Sequence, residues 1–166
     1  MPGYRYDVFL SCARTGPSRE WTVNHFRDLL DLGLAKLIEE PKIVLSGEGA
    51  LRDARLLVPI WSPPYFTSPD CLSEWESMRL RERLCDRPLI CPVRYSGEGL
   101  PGHDLRHWNR PHPSFRQTPR YDSLAGEVDK LAIAVAELLP RVPRWRAWPS
   151  AHPRPPAQPP PSLPQL

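Results

Sequence analysis

The chain has 166 residues, enough for one domain with its own core and too few for two comfortable ones. Hydrophobic residues make up 40% and charged residues 25%, the balance of an ordinary soluble globular protein. The net charge of +3 is uneven: Pro140 to Leu166 holds ten prolines, four arginines and no acidic residue, leaving residues 1–140 at 3 − 4 = −1. A near-neutral body offers no basic face for nucleic acid.

No window approaches the roughly 18 apolar residues of a membrane span. "MPGYRYDVFLSC" lacks the long hydrophobic region of a secretory signal. With four cysteines and no CxxC pair, free thiols in a reducing cytoplasm are expected.

In chain order, "YRYDVFLSCA" reads as a strand with a near-continuous apolar run, Val8 to Leu10, as in a parallel strand covered on both faces. A loop follows, with Ser18 placed to cap a helix. From Glu20 to about Ile38, Val23, Phe26, Leu30, Leu34 and Leu37 recur at threes and fours and predict one buried stripe, ended by Pro41. Two short apolar runs, Ile43–Leu45 and Leu56–Ile60, flank a glycine-bearing loop with a short helical piece. Ser68 and Pro69 then mark the start of a helix running to about Cys85, whose charged second half predicts an exposed face.

"RPLICPVRY" reads as another buried strand. The proline- and histidine-rich stretch after it is too long for a bare loop, so a short last strand is expected around Ser114–Gln117. A final helix, capped by Asp122 or Ser123, carries Leu124, Val128, Leu131, Val135 and Leu138. Residues 141–166 are expected to form a proline-rich, extended and mobile tail after a domain spanning 1–140. Alternating strands and helices predict an α/β domain with a central parallel sheet of about five strands.

The motif that stands out is "SPPYFTSPDCLSEWE". Ser62, Tyr65, Ser68, Cys71 and Glu74 fall at a strict three-residue spacing across a strand-to-helix junction. In open parallel sheets, ligands bind at the carboxyl ends of strands, where this junction lies. Cys71 and Glu74, three apart on a helix, share a face.

These residues carry a resemblance. "YDVFLSCA" resembles the first signature of TIR (Toll/interleukin-1 receptor) domains, Tyr-Asp-Val-Phe-Ile-Ser-Tyr. The later stretch resembles their Ser-x-x-Tyr-x-x-Ser-x-x-Cys-x-x-Glu pattern, with no gap needed. The resemblance covers residue 4 to about 140 and implies a flavodoxin-like fold in a stand-alone, prokaryotic-type TIR protein. In catalytic members of that family, the glutamate at the position of Glu74 is needed to cleave NAD+ into nicotinamide and an ADP-ribose product. The resemblance therefore implies an NAD+ hydrolase in cytoplasmic defence or signalling, with NAD+ as substrate and no cofactor or metal. The alternative is a non-catalytic adaptor acting through TIR–TIR interactions. Self-association or other TIR domains, and a separate upstream sensor, are the expected protein partners.

Glu74 is the catalytic candidate, and Ser11, Cys12, Arg14, Ser62, Tyr65, Ser68 and Cys71 are substrate-binding candidates. Each also has a plainer role. Ser68 is an obvious helix cap, Tyr65 either stacks on a ligand or packs on the sheet edge, Cys71 suits a small buried residue, and a loop arginine such as Arg14 is commonly solvated. Three departures from the family pattern stand in the sequence. Cys12 replaces the signature's final Tyr, Asp70 replaces a frequent Trp, and the loop at 46–53 is short. The pair Gly47 and Gly49 is a weak phosphate cradle, and His103 with His107 lacks a third metal ligand. A phospho-receiver would need an aspartate where Trp61 and Ser62 stand.

Overall fold

A computed structural model describes residues 3–151. Five strands form one parallel sheet: β1 (Tyr6–Ser11), β2 (Ile43–Leu45), β3 (Ala54–Trp61), β4 (Val93–Arg94) and β5 (His103–Asp104), in the order β2-β1-β3-β4-β5. That is the flavodoxin-like order. The chain leaves β1 for one side and β3 for the other, so right-handed crossovers place their helices on opposite faces. Helices α1 (Pro17–Trp21) and α2 (Arg27–Ala35) follow β1, α3 (Pro69–Cys85) follows β3, and α4 (Arg120–Leu138) closes the domain beside α2. The latter two meet closely at Gly33, where a Cβ would lie 3.0 Å from the Cβ of Ala132 and from Asp129 Oδ1. The core is the apolar run of β1 and β3 under Phe26, Leu30 and Leu34 on one side and Trp75 and Met78 on the other.

The first helix departs from its predicted stripe. Phe26, Leu30 and Leu34 are buried as expected, but Val23 and Leu37 are 45% and 48% exposed. A π-helical turn, Thr22–Phe26, joins α1 to α2. Its wider turn advances the inward face, so Trp21, Thr22 and His25 point to the core in place of Val23. Leu37 lies past the end of α2. Ser18 is no cap either. Gly16 holds the N-cap position at φ 96°, Pro17 opens the helix, and the carbonyl of Ser18 accepts from Thr22 Oγ1.

The expected strand at 87–95 is cut to two residues plus a bridge between Leu57 and Ile90. Leu57 N–H donates to Leu89 O, so Pro59, two residues on, would donate toward the same neighbour and has no N–H to do so. Pro92 removes a second donor on the β5 side, although its carbonyl still accepts from His103 N at 2.9 Å. The fifth strand is His103–Asp104, not the expected Ser114–Gln117. Pro113 to Gln117 is a 3₁₀ turn whose Phe115 is buried. Gly102, at φ 110°, allows the approach of β5: any Cβ there would sit 2.7 Å from Pro92 O.

The long connection before α4 is tied to the first helices by side-chain bonds. Trp21 Nε1 donates to Trp108 O, and His25 Nε2 to His112 O. α4 itself starts at Arg120, without a side-chain cap from Asp122 or Ser123. Its buried residues Leu124, Val128, Leu131 and Val135 follow the predicted stripe.

The charged half of α3 is not uniformly exposed. Arg81 is buried and donates to Ala54 O at 2.7 Å and Leu51 O at 3.3 Å. Its guanidinium lies 5.2 Å from the Trp148 ring. Trp148 belongs to the first part of the segment expected to be a mobile tail, and that part is bound to the body. Tyr4 donates to Pro143 O, Trp145 Nε1 to Arg52 O, Trp148 Nε1 to Tyr4 Oη, and Ala151 bridges Ser73 and Ser77 of α3. Two indoles and a row of backbone bonds outweigh the proline content there. The expectation for residues 152–166 lies outside the described residues.

If this strap is part of the fold, Trp148→Ala costs about 3 kcal/mol, the usual loss for a buried tryptophan. Urea unfolding should show a lower midpoint at unchanged slope; an unshifted midpoint means that the segment contributes nothing.

Candidate functional site

β1 and β3 are the two strands from which the crossovers diverge, and the carboxyl ends of such strands are where open α/β sheets bind ligands. β1 delivers Ser11 there, in register with Pro59 of β3. β3 ends in Trp61 and Ser62, a 3₁₀ turn (Pro63–Thr67) brings Tyr65 to the same end, and α3 starts at Ser68. Ser68 Oγ accepts from Cys71 N at 3.3 Å, which makes it the helix cap that its position implied. Glu74 then stands two turns into α3, on the side facing β1.

Four of the sequence-predicted residues converge. Tyr65 Oη lies 2.8 Å from Ser11 Oγ, and Ser11 Oγ donates to Glu74 Oε1 at 2.8 Å. With one proton on Ser11, Tyr65 must be the donor to it, giving a relay of hydroxyls ending on the carboxylate. Burial pushes the Tyr65 phenol well above its ordinary range, which keeps it protonated as that donor. From the solvent side, Arg14 Nη2 donates to Glu74 Oε2 at 3.2 Å, while Arg14 Nε lies 3.7 Å from Asp70 Oδ2. The Glu74 side chain is 13% exposed and that of Arg14 is 38% exposed, so the guanidinium covers the carboxylate.

Burial raises the Glu74 carboxyl from its ordinary 4.5 to about 7, against the opposing pull of the Ser11 hydrogen bond and the Arg14 charge. Half-charged near neutrality, it can accept hydrogen bonds from a ligand hydroxyl and face a positive centre. It can also exchange a proton.

The other four sit apart from this network. Cys12 is buried, its Sγ 3.9 Å from Ser46 Oγ and 3.7 Å from Arg19 Nη1; its thiol is raised by burial. Cys71 is buried and pushed up to about 12 by burial, a packed thiol and no nucleophile. Ser68 is occupied as a cap. Ser62 is buried with no partner for its Oγ among the described residues. Tyr65 is buried, packs edge-on against Phe66 and meets Ser11 through its hydroxyl.

Two participants were not read from the sequence. Asp70 anchors Arg14 from α3, and Arg19 donates to Ser46 O at 3.0 Å, pinning the 46–53 loop beside Cys12. Neither follows a spacing rule; both depend on loops folding back. Gly47 leaves room beneath Arg14, since a Cβ there would be 3.1 Å from Arg14 Nη1. Three clefts of about 370 to 530 Å³ are lined by residues other than Glu74. All four cysteines are free, and no group of three or more His, Cys, Asp or Glu among the described residues could hold a metal ion. No described helix is long and apolar enough to cross a membrane.

No protein-family profile and no curated protein matches the chain. Among solved structures it is similar to the TIR domains of the activated Roq1 resistosome, described as directly recognizing the pathogen effector XopQ. The identity is 19%, over 80% of this chain and 84% of that one, with a TM-score of 0.38. So loose a likeness adds nothing to the site, and the flavodoxin-like assignment rests on the sheet order itself.

The raised carboxyl makes a stability prediction. Below about pH 4.5 both folded and unfolded chains hold the proton, whereas between 4.5 and 7 only the folded chain keeps it, so stability falls as pH rises through that window. The full cost, on the order of 3 kcal/mol, is present above pH 7. Glu74→Gln removes this dependence, so urea midpoints of parent and variant should agree near pH 4 and diverge by pH 8, with the variant the more stable.

Proposed function

We propose that the chain is an NAD+ hydrolase that breaks the bond between ribose and nicotinamide, with Glu74 as its catalytic carboxylate. One observation carries the reading: a single carboxylate, buried at the carboxyl ends of β1 and β3, is held by a hydroxyl relay and paired with a partly exposed arginine. The spacing from Ser62 to Glu74 and the motif at Tyr6 to Ser11 support it, through the TIR resemblance.

In this reaction the C1′–N bond breaks and its electron pair stays on the nicotinamide nitrogen. Positive charge builds on the ribose. Water then adds at C1′, releasing a proton and giving ADP-ribose. The leaving group departs neutral and needs no acid, so one carboxylate suffices where glycosidases use two. Glu74 would accept hydrogen bonds from the ribose hydroxyls and face the developing charge, favouring the transition state over the ground state. Ser11 and Tyr65 orient it. Arg14 has a half-exposed guanidinium that the substrate's diphosphate can draw off Glu74, uncovering the carboxylate as the ligand arrives. The expected setting is cytoplasmic defence or signalling, with self-association and an upstream sensor as triggers.

A second reading, a TIR adaptor acting only through TIR–TIR contacts, is favoured by the covered state of Glu74, by the short 46–53 loop and by a buried Cys12 where an aromatic ring would serve a ligand.

Nicotinamide release from NAD+ by concentrated protein with a crowding agent separates the two. The hydrolase reading expects release that is lost, by 100-fold or more, in Glu74→Ala. It also expects a rate that rises with pH through about 7, as the carboxyl ionises. Release that survives in the variant assigns the wrong residue, and none from a folded parent favours the adaptor.

A further inference from the structure

Helix α3 has a second face, away from Glu74, which carries a groove of about 530 Å³ lined by Trp75, Glu76, Arg79, Leu80, Arg83 and Ala151. The floor is apolar: the Trp75 ring, with Arg79 stacked 5.1 Å over it, and Leu80. The polar groups are incompletely used. Trp75 Nε1 is buried without an acceptor, and neither Glu76 nor Arg83 has an ion-pair partner among the described residues. The groove thus offers the edge of an indole beneath Arg79, an aliphatic side chain, guanidinium N–H donors and a carboxylate without an ion-pair partner among the described residues.

Ala151 is both a wall of this groove and the last described residue. It is fastened to α3 twice, since Ala151 O accepts from Ser73 Oγ at 2.7 Å and Ala151 N donates to Ser77 Oγ at 2.8 Å. Ala151 thus stands at the wall of the groove, and the sequence after it is "HPRPPAQPPPSLPQL". Seven of those 15 residues are proline. Proline has no N–H, so such a stretch presents flat apolar rings and carbonyl acceptors. That is the complement of an indole and leucine floor edged with N–H donors, as in the aromatic grooves that read proline-rich peptides. The one cation in the stretch besides His152 is Arg154, which suits the unpaired Glu76. Trp75 to Arg83 covers roughly 12 Å of helix at about 1.5 Å per residue. About four extended residues at ~3.1 Å each would fill it.

We infer that the groove on α3 is a proline-peptide site whose occupant is the chain's own sequence immediately after Ala151. This stands independently of the NAD+ reading, since nothing in it involves Glu74 chemistry.

The test compares amide NMR spectra of the full chain with those of a chain of the same length in which residues 152–166 are replaced by glycine and serine. The expected result is a set of shift differences centred on Glu76 to Arg83, reversed when a synthetic peptide of residues 152–166 is added to the replaced chain. Leu80→Asp and Glu76→Arg in the replaced chain should each weaken that peptide effect at least tenfold; using both guards against one of them disturbing the helix. Superimposable spectra over the groove, with no response to the peptide, would overturn the inference. So would groove shifts in the full chain that fade on dilution, because the occupant would then be a neighbouring copy's segment.

Discussion

The pairing of β1 with β3 is the constraint on which everything else hangs. It is the longest ladder in the sheet, from Tyr6 against Ala54 to Ser11 against Pro59, and its side chains are almost wholly buried. Because the chain turns to opposite sides after these two strands, the first helices and α3 lie on different faces and their starts converge on one end of the sheet. Ser11 reaches that end only because β1 stops there, and Glu74 because Ser68 and Pro69 start α3 six residues before it. A slip of one residue in β1 would turn Ser11 away from Glu74 and put Leu10 in its place. Site geometry and core register are one constraint.

α3 is correspondingly a helix with three environments. One side carries Glu74 toward β1, another buries Trp75 and Met78 in the core, and a third receives the segment from Val142 to Ala151. Its sequence has almost no amphipathic order, and the reason is now plain: Arg81 occupies a buried position that a simple stripe would give to leucine. The strap makes that possible. Trp148 lays an indole face against a guanidinium whose Nη1 and Nη2 donate to the carbonyls of Ala54 and Leu51, while its Nε has no partner among the described residues. A charged residue is thereby accommodated inside without any carboxylate beside it.

How much of this was legible in the sequence depends on the range of the forces involved. The strands of the core, the capped start of α3 and the stripe of α4 follow from local spacing and were readable as such. Tyr65 and Glu74, on one continuous stretch, do meet at Ser11, while Ser62, Ser68 and Cys71 of the same spacing lie apart from that contact. What could not be read came from long-range partners. The π turn shifts the face of the first helix under the pull of Trp21 and His25 on the distant 108–112 segment. β4 is short because Pro59 and Pro92 meet across the sheet. Ser114–Gln117 became a turn once His103 had taken the edge of the sheet. The strap defeats the usual reading of proline-rich sequence because two tryptophans, 145 and 148, find partners far away in sequence, at Arg52 and Tyr4.

Two buried ionic groups on the same helix invite comparison, and their partners differ in kind. Arg81 is met by backbone carbonyls and an aromatic face, groups fixed by the fold, although burial lowers its guanidinium to about 10. Glu74 is met by a hydroxyl and by an arginine from a loop, one able to rotate and the other half in solvent. Burial raises its carboxyl to about 7, so the fold bears a cost at neutral pH that a glutamine would not impose. In the proposed hydrolase, the same desolvation that strains the free protein would strengthen the carboxylate's hold on a positive centre brought against it.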